Sequence, residues 1–142
     1  MSIGGINIAL SGALAQTQRL AVSAGNVANL RSTGAIPAAD GTVQPGQSQP
    51  YQPQTASQTS VAGPGGQGQG TRVVARPTTP AYLPEYQPDS PDANADGLVA
   101  APNVDIVGES VGQMTALRAF QANLATIRTQ DEMERSAIDT LA

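Results

Sequence analysis

The chain has 142 residues and a net charge of −4, and its seven positive side chains are all arginine, spread without a basic cluster, which excludes the phosphate-neutralising footprint of a nucleic-acid binder. It has no cysteine and no histidine, which removes disulfides, thiol nucleophiles, the usual zinc and haem ligands and the commonest general base near neutral pH. With 15 Gly, 11 Pro, one Phe, three Tyr and no Trp, it is poorly equipped to bury a large core.

The N-terminus lacks a basic leader region, its first arginine being Arg19, so no cleavable signal peptide is expected. No run of about 18 apolar residues is present, so no transmembrane helix is expected either. Residues 3–30 read as a helix. Heptad position a falls on Ile3, Leu10, Thr17 and Ala24, and d on Ile6, Ala13, Leu20 and Val27. All but Thr17 are apolar, the pattern of a coiled-coil-like seam. Gly4, Gly5, Gly12 and Gly25 each cost roughly 1 kcal/mol against alanine in a helix interior, so this helix is expected to need a partner. Ala9, Ala13, Ala24 and Ala28 would let that partner come close.

Ser32, Thr33, Gly34 and Pro37 should end the helix. Residues 35–70 read as a flexible Gln/Gly/Pro-rich segment, too polar from Gln44 onward to offset its ordering entropy. Gly63, Gly65 and Gly68 match G-x-G-x-x-G in form only; no strand is expected before them and no helix after, and a linker accounts for them. In residues 71–102, Thr71–Arg76 is a β-branched run that reads as a strand, with Ala81–Tyr86 as its hairpin partner. Pro80 and Pro84 restrict that partner to an edge. The rest, to Pro102, reads as an extended, proline-rich arm.

Asp92-Ala-Asn94-Ala-Asp96-Gly97 fits the first six positions of a calcium loop, and Val99 supplies the apolar eighth. The twelfth position is Asn103 where a bidentate Glu belongs, and no entering helix precedes the loop. The competing reading is a turn whose Asp and Asn side chains bond their own backbone. No metal or cofactor is assigned.

Residues 103–142 read as a second long helix. Val107, Val111, Met114, Leu117, Leu124, Ile127, Ile138 and Leu141 recur mostly at helical spacing, Asn103 and Asp105 are capping candidates, and Glu109 suits the first turns. Arg128/Glu132 and Asp131/Arg135 are i,i+4 pairs of a solvated face. No constellation of catalytic groups is present, and the chain is not expected to be an enzyme. The expected fold class is mainly α, two long terminal helices pairing as an antiparallel coiled-coil-like hairpin around an extended middle, with one short β-hairpin. Two such helices leave apolar seam uncovered, which implies other subunits.

Asn26-Val27-Ala28-Asn29, followed by Thr33-Gly34, resembles the N-terminal signature of the bacterial flagellar axial proteins, the rod and hook subunits. Pro84–Gly97, Pro102-Asn103-Val104-Asp105 and Arg118-Ala119-Phe120-Gln121-Ala122-Asn123 resemble the proximal-rod members of that family. The resemblance implies a structural subunit, exported unfolded through the flagellar type III apparatus, that assembles helically into the hollow rod crossing the periplasm. That shaft transmits torque from the membrane ring to the hook. Lack of cysteine suits such export. Expected partners are other copies of the chain, other rod subunits, the membrane-ring protein at the rod base and the export apparatus. Ile3, Ile6, Leu10, Leu20 and Val27 would form one seam, and Val107, Val111, Met114, Leu117, Phe120, Leu124 and Ile127 the opposing one. Asn26, Asn29, Thr33 and Gly34 would shape the exit from the first helix and contact neighbours, and Pro102, Asn103, Val104, Gln121 and Asn123 complete the expected interface. Two other classes compete: a different axial subunit, and a helical adaptor or export chaperone.

Overall fold

Helix α1 spans Ile3–Ala28 and helix α2 Ile106–Leu141, with four strands between them: β1 Gln54–Ala62, β2 Gly68–Pro77, β3 Tyr82–Tyr86 and β4 Leu98–Pro102. The computed structural model describes residues 3–141, and the side chains of Ile3 and Leu141 lie outside the described residues. At 36 residues, α2 is roughly 54 Å long. Both helices fall where the apolar periodicity placed them. The Asp105 carboxylate caps α2, its Oδ1 accepting from Val107 N at 3.0 Å. Asn103, the other capping candidate, instead donates its amide to Pro80 O and its backbone N–H to Ala81 O.

The expectation of a mainly α chain with an extended middle is corrected by the two two-stranded antiparallel sheets between the helices. β1 pairs with β2, and β3 with β4 in the register Tyr82↔Pro102 to Tyr86↔Leu98. The single expected hairpin therefore has the wrong partners. Thr71–Arg76 lies in β2 and pairs with the polar run before it, while β3 pairs with the Leu98–Pro102 stretch that read as extended arm. The physical reason is burial. Val99 and Ala100 are wholly buried, and the short apolar run Leu98–Ala101 gains from a paired, covered position. Edge position tolerates Pro84 in β3, as a missing N–H there costs no ladder bond. Gly63, Gly65 and Gly68 occupy the β1–β2 turn and its exit, closed by Gly63 N to Gln67 O and Gly66 N to Gly63 O. That is strand–turn–strand, not the strand–helix setting of a phosphate loop.

The chain divides into two units, each drawing on both helices. Unit 1 comprises residues 1–21, 56–74 and 111–142; unit 2 comprises 22–55 and 75–110. In unit 1 the buried positions of α1 are small or polar: Ala9, Ala13, Ala15 and Gln16. A Cβ on Gly12 would sit 2.5 Å from Asn123 Oδ1, so the glycine leaves the space that the Asn123 side-chain amide fills. The same unit ties its hairpin to α1 through Thr71 N donating to Ser11 Oγ at 3.1 Å, and Gln16 Nε2 donating to Gln58 Oε1 at 3.0 Å. In unit 2, β3 and β4 form a sheet extended by an isolated bridge between Gly34 and Ala100.

Candidate assembly interface

Asn26, Glu109, Tyr51 and Gln54 meet in unit 2. Asn26 is 2% exposed and uses its full hydrogen-bonding capacity. Its Nδ2 donates to Gln54 O at 2.8 Å and to Glu109 Oε1 at 2.5 Å. Its Oδ1 accepts from Gln54 N at 3.0 Å and from the Tyr51 hydroxyl at 3.1 Å. The side-chain amide thus pairs with both backbone groups of the first residue of β1, as a neighbouring strand residue would. Ser23 Oγ adds a bond to Glu109 O at 3.4 Å. Burial and, second, the Glu109 charge push the Tyr51 hydroxyl above its ordinary pKa. Sequence reasoning gave Asn26 to the helix exit and to neighbouring subunits. Within the chain it is a clamp between α1, β1 and α2. Tyr51 and Gln54 carried no pattern signal, except that Tyr51 is an isolated aromatic in a Gln/Pro tract.

The rest of the helix exit is also bound internally. Asn29 Nδ2 donates to Gly25 O, and Ser32 Oγ donates to Asn29 Oδ1. Thr33, half-buried, donates its N–H to Arg31 O. Gly34 is buried; it exchanges both backbone bonds with Ala100, N to O at 3.1 Å and O from N at 2.8 Å. A Cβ there would lie 2.5 Å from Pro50 N and 2.6 Å from Ser48 O, so the passing backbone explains the glycine. The Ser48 N–H is in turn accepted by Asp92 Oδ1 at 2.6 Å.

That bond bears on the calcium-like motif. Asn94 Oδ1 accepts from Asp96 N and Leu98 N, both at 2.9 Å, and Gly97, at φ 74°, donates to Asn94 O. These are the bonds of an Asx turn. Two of the three prospective ligand side chains already serve backbone donors. Among the described residues, no group of three or more acidic, His or Cys side chains could hold a metal ion.

The expected seam residues separate into two sets. Ile6, Leu20, Val27, Phe120, Leu124 and Ile127 are half-buried, as are Asn123, Asn103 and Val104, while Pro102 is buried. Leu10, Val107, Val111, Met114, Leu117 and Gln121 are exposed, with Val107 at 68% and Met114 at 55%. Ile3 belongs to α1, but its side chain lies outside the described residues. On α2 the covered stripe runs through Glu109, Gln113, Ala116, Phe120, Asn123, Ile127, Gln130 and Glu134 at helical spacing. Val111, Met114 and Leu117 stand on another face, bare and apolar. On α1, Leu10 and Leu14 are about half exposed. Asp131 and Arg135 form the expected surface pair at 3.0 Å. Among the described residues no helix is long and apolar enough to cross a membrane.

Residues 95–140 match the family of flagellar basal body rod FlgEFG proteins in its C-terminal region. The chain is 39% identical over 129 residues to the flagellar basal-body rod protein FlgC of Escherichia coli O6:H1, covering 89% of this chain and 88% of that protein. It is 38% identical over 130 residues to FlgC of Salmonella typhimurium, with 89% and 88% covered. FlgC of Agrobacterium fabrum is 33% identical over 135 residues, with 94% and 91% covered.

Proposed function

The chain belongs to the FlgC family of flagellar basal-body rod proteins, and from that premise we propose how its two helices serve the rod. It is a structural subunit of the basal-body rod. The observation that carries this reading is identity to FlgC proteins along nearly the whole chain. Within the rod, this subunit sits in the proximal segment and assembles helically with copies of itself and other rod subunits. The shaft so formed is hollow, crosses the periplasm, and carries torque from the membrane-ring protein at its base towards the hook. The subunit reaches that place through the flagellar type III export apparatus.

The bare apolar face of α2 supports assembly. Val111, Met114 and Leu117, each about half exposed, gain about 1 kcal/mol or more apiece when a neighbour covers them. Such a gain is repeated at every copy of a helical array. Torque transmission needs long elements packed on several sides, so that twist passes through side chains at interior density. Small buried residues on α1, with Gly12 against Asn123, permit that close packing.

Deleting the gene in its host tests the reading. The expected result is non-motile cells without hooks, restored by the wild-type chain. Normal flagella in the deletion strain would contradict it.

A further inference from the structure

Unit 2 carries a groove of about 690 Å³ beside the exposed edge strand β3. Leu30, Leu83, Pro84 and Pro102 supply its apolar lining, and Arg31 and Glu85 its charges. Leu83 is half exposed, and the described residues give Glu85 no cation partner, only a bond from Gln87 Nε2 at 2.8 Å. The charge of the chain is divided unevenly. Unit 2 holds seven carboxylates against two arginines, while unit 1 holds four against five. In unit 1, the bare face of α2 presents Val111, Met114 and Arg118 at i, i+3 and i+7, with Leu117 beside them. Arg118 is exposed and has no ion-pair partner among the described residues.

We propose that the groove beside β3 receives the Val111–Arg118 face of α2 from a second copy of this chain, with Arg118 meeting Glu85. The inference rests on the rod-subunit reading and adds the contact by which copies join. Anchors at i, i+3 and i+7 are the spacing with which a helix fills an apolar groove. A head-to-tail array needs two different, complementary patches on each subunit, and these differ in shape and in sign of charge. Opposed charge fixes the partner and the register rather than supplying most of the affinity.

The chain has no cysteine, so each introduced thiol is unique. Leu83→Cys and Met114→Cys are co-expressed as two separate full-length chains in a deletion strain, and hook–basal bodies are purified and treated with a short bismaleimide. A cross-linked dimer is expected from the co-expressing strain and from neither single variant. Basal bodies that contain both variants but give no dimer would overturn the contact and leave the rod reading intact. Absence of the wild-type chain from basal bodies would overturn the rod reading, and the contact with it. Charge exchange gives a second readout: Arg118→Glu and Glu85→Arg are each expected to shrink the swimming zone several-fold, and together to recover most of it. Two harmful single changes without recovery, or two silent ones, would overturn the Arg118–Glu85 pairing.

Discussion

Asn26 Nδ2 donates to Glu109 Oε1 at 2.5 Å, joining the end of α1 to the first turn of α2 within unit 2. The same amide holds both backbone groups of Gln54. Asn26→Ala removes four bonds at a buried position and leaves their partners to find water. The expected loss is about 2–4 kcal/mol. Asn26→Asp should cost more near pH 7 than at about pH 4, because it sets a second carboxylate against Glu109. Urea unfolding followed by tyrosine fluorescence reads this directly, since all three tyrosines lie in unit 2.

Tyr51 gives the fold a limit on the alkaline side. Its folded pKa is raised above 10.0 by burial and then by Glu109, so the protonated hydroxyl is favoured in the folded state. That contribution is complete below the unfolded value and is lost as pH rises through the folded one. Unit 2 should lose stability above about pH 10, and Tyr51→Phe should flatten the loss while lowering stability at neutral pH by about 1 kcal/mol. Urea midpoints followed by far-ultraviolet circular dichroism between neutral pH and about pH 11 check both parts. Equal slopes in the two proteins would contradict the assignment.

Three glycines should respond differently to alanine. Gly34→Ala drives a methyl into the backbone at Pro50 and Ser48, which cannot rotate away, and should destabilise by about 1–3 kcal/mol. Gly12→Ala meets only the Asn123 side chain, so its cost should be smaller. Gly112→Ala meets nothing within 4 Å inside α2 and should stabilise by roughly 1 kcal/mol. Thermal melts followed by circular dichroism rank the three.

Leu117→Asp separates assembly from folding. Leu117 is 48% exposed on α2, so the isolated chain should change by no more than about 0.5 kcal/mol. Export should persist while rod assembly and swimming are lost. Recovery of the variant from the periplasm of non-motile cells is the expected outcome; normal swimming would remove Leu117 from the interface.

The helices were legible because their apolar residues repeat at helical spacing over 26 and 36 residues. The sheets were not, for two physical reasons. β1 is Gln, Ser, Thr and Ala with a single valine, Val61, and almost every side chain is in solvent, so it shows no alternation of apolar and polar residues. Ladder bonds and local ones such as Thr71 Oγ1 to Thr59 O define it, and only the β preference of its two threonines and Val61 pointed there. β4 was hidden by its closing Pro102 and its shortness, although Val99 and Ala100 are among the most buried residues of the chain. Apolar periodicity found the helix positions, but size decided which face is covered within the chain. Alanine, glycine and amide side chains are buried, while Leu10, Met114 and Leu117 stand out from the surface. A heptad pattern does not distinguish a face that closes on its own chain from one left for a neighbour. The Asn26 clamp was half legible: its position was marked, but Tyr51 and Gln54 reach it across a tract without pattern.

A rod subunit must be physically built into the basal body. Hook–basal bodies purified from the native host and analysed by mass spectrometry test it most directly. The chain is expected as a stoichiometric component, retained through detergent and salt washes along with the hook. Intact hook–basal bodies without it, and the protein recovered wholly from the soluble cytosolic fraction, would contradict that account and point to a helical adaptor or chaperone.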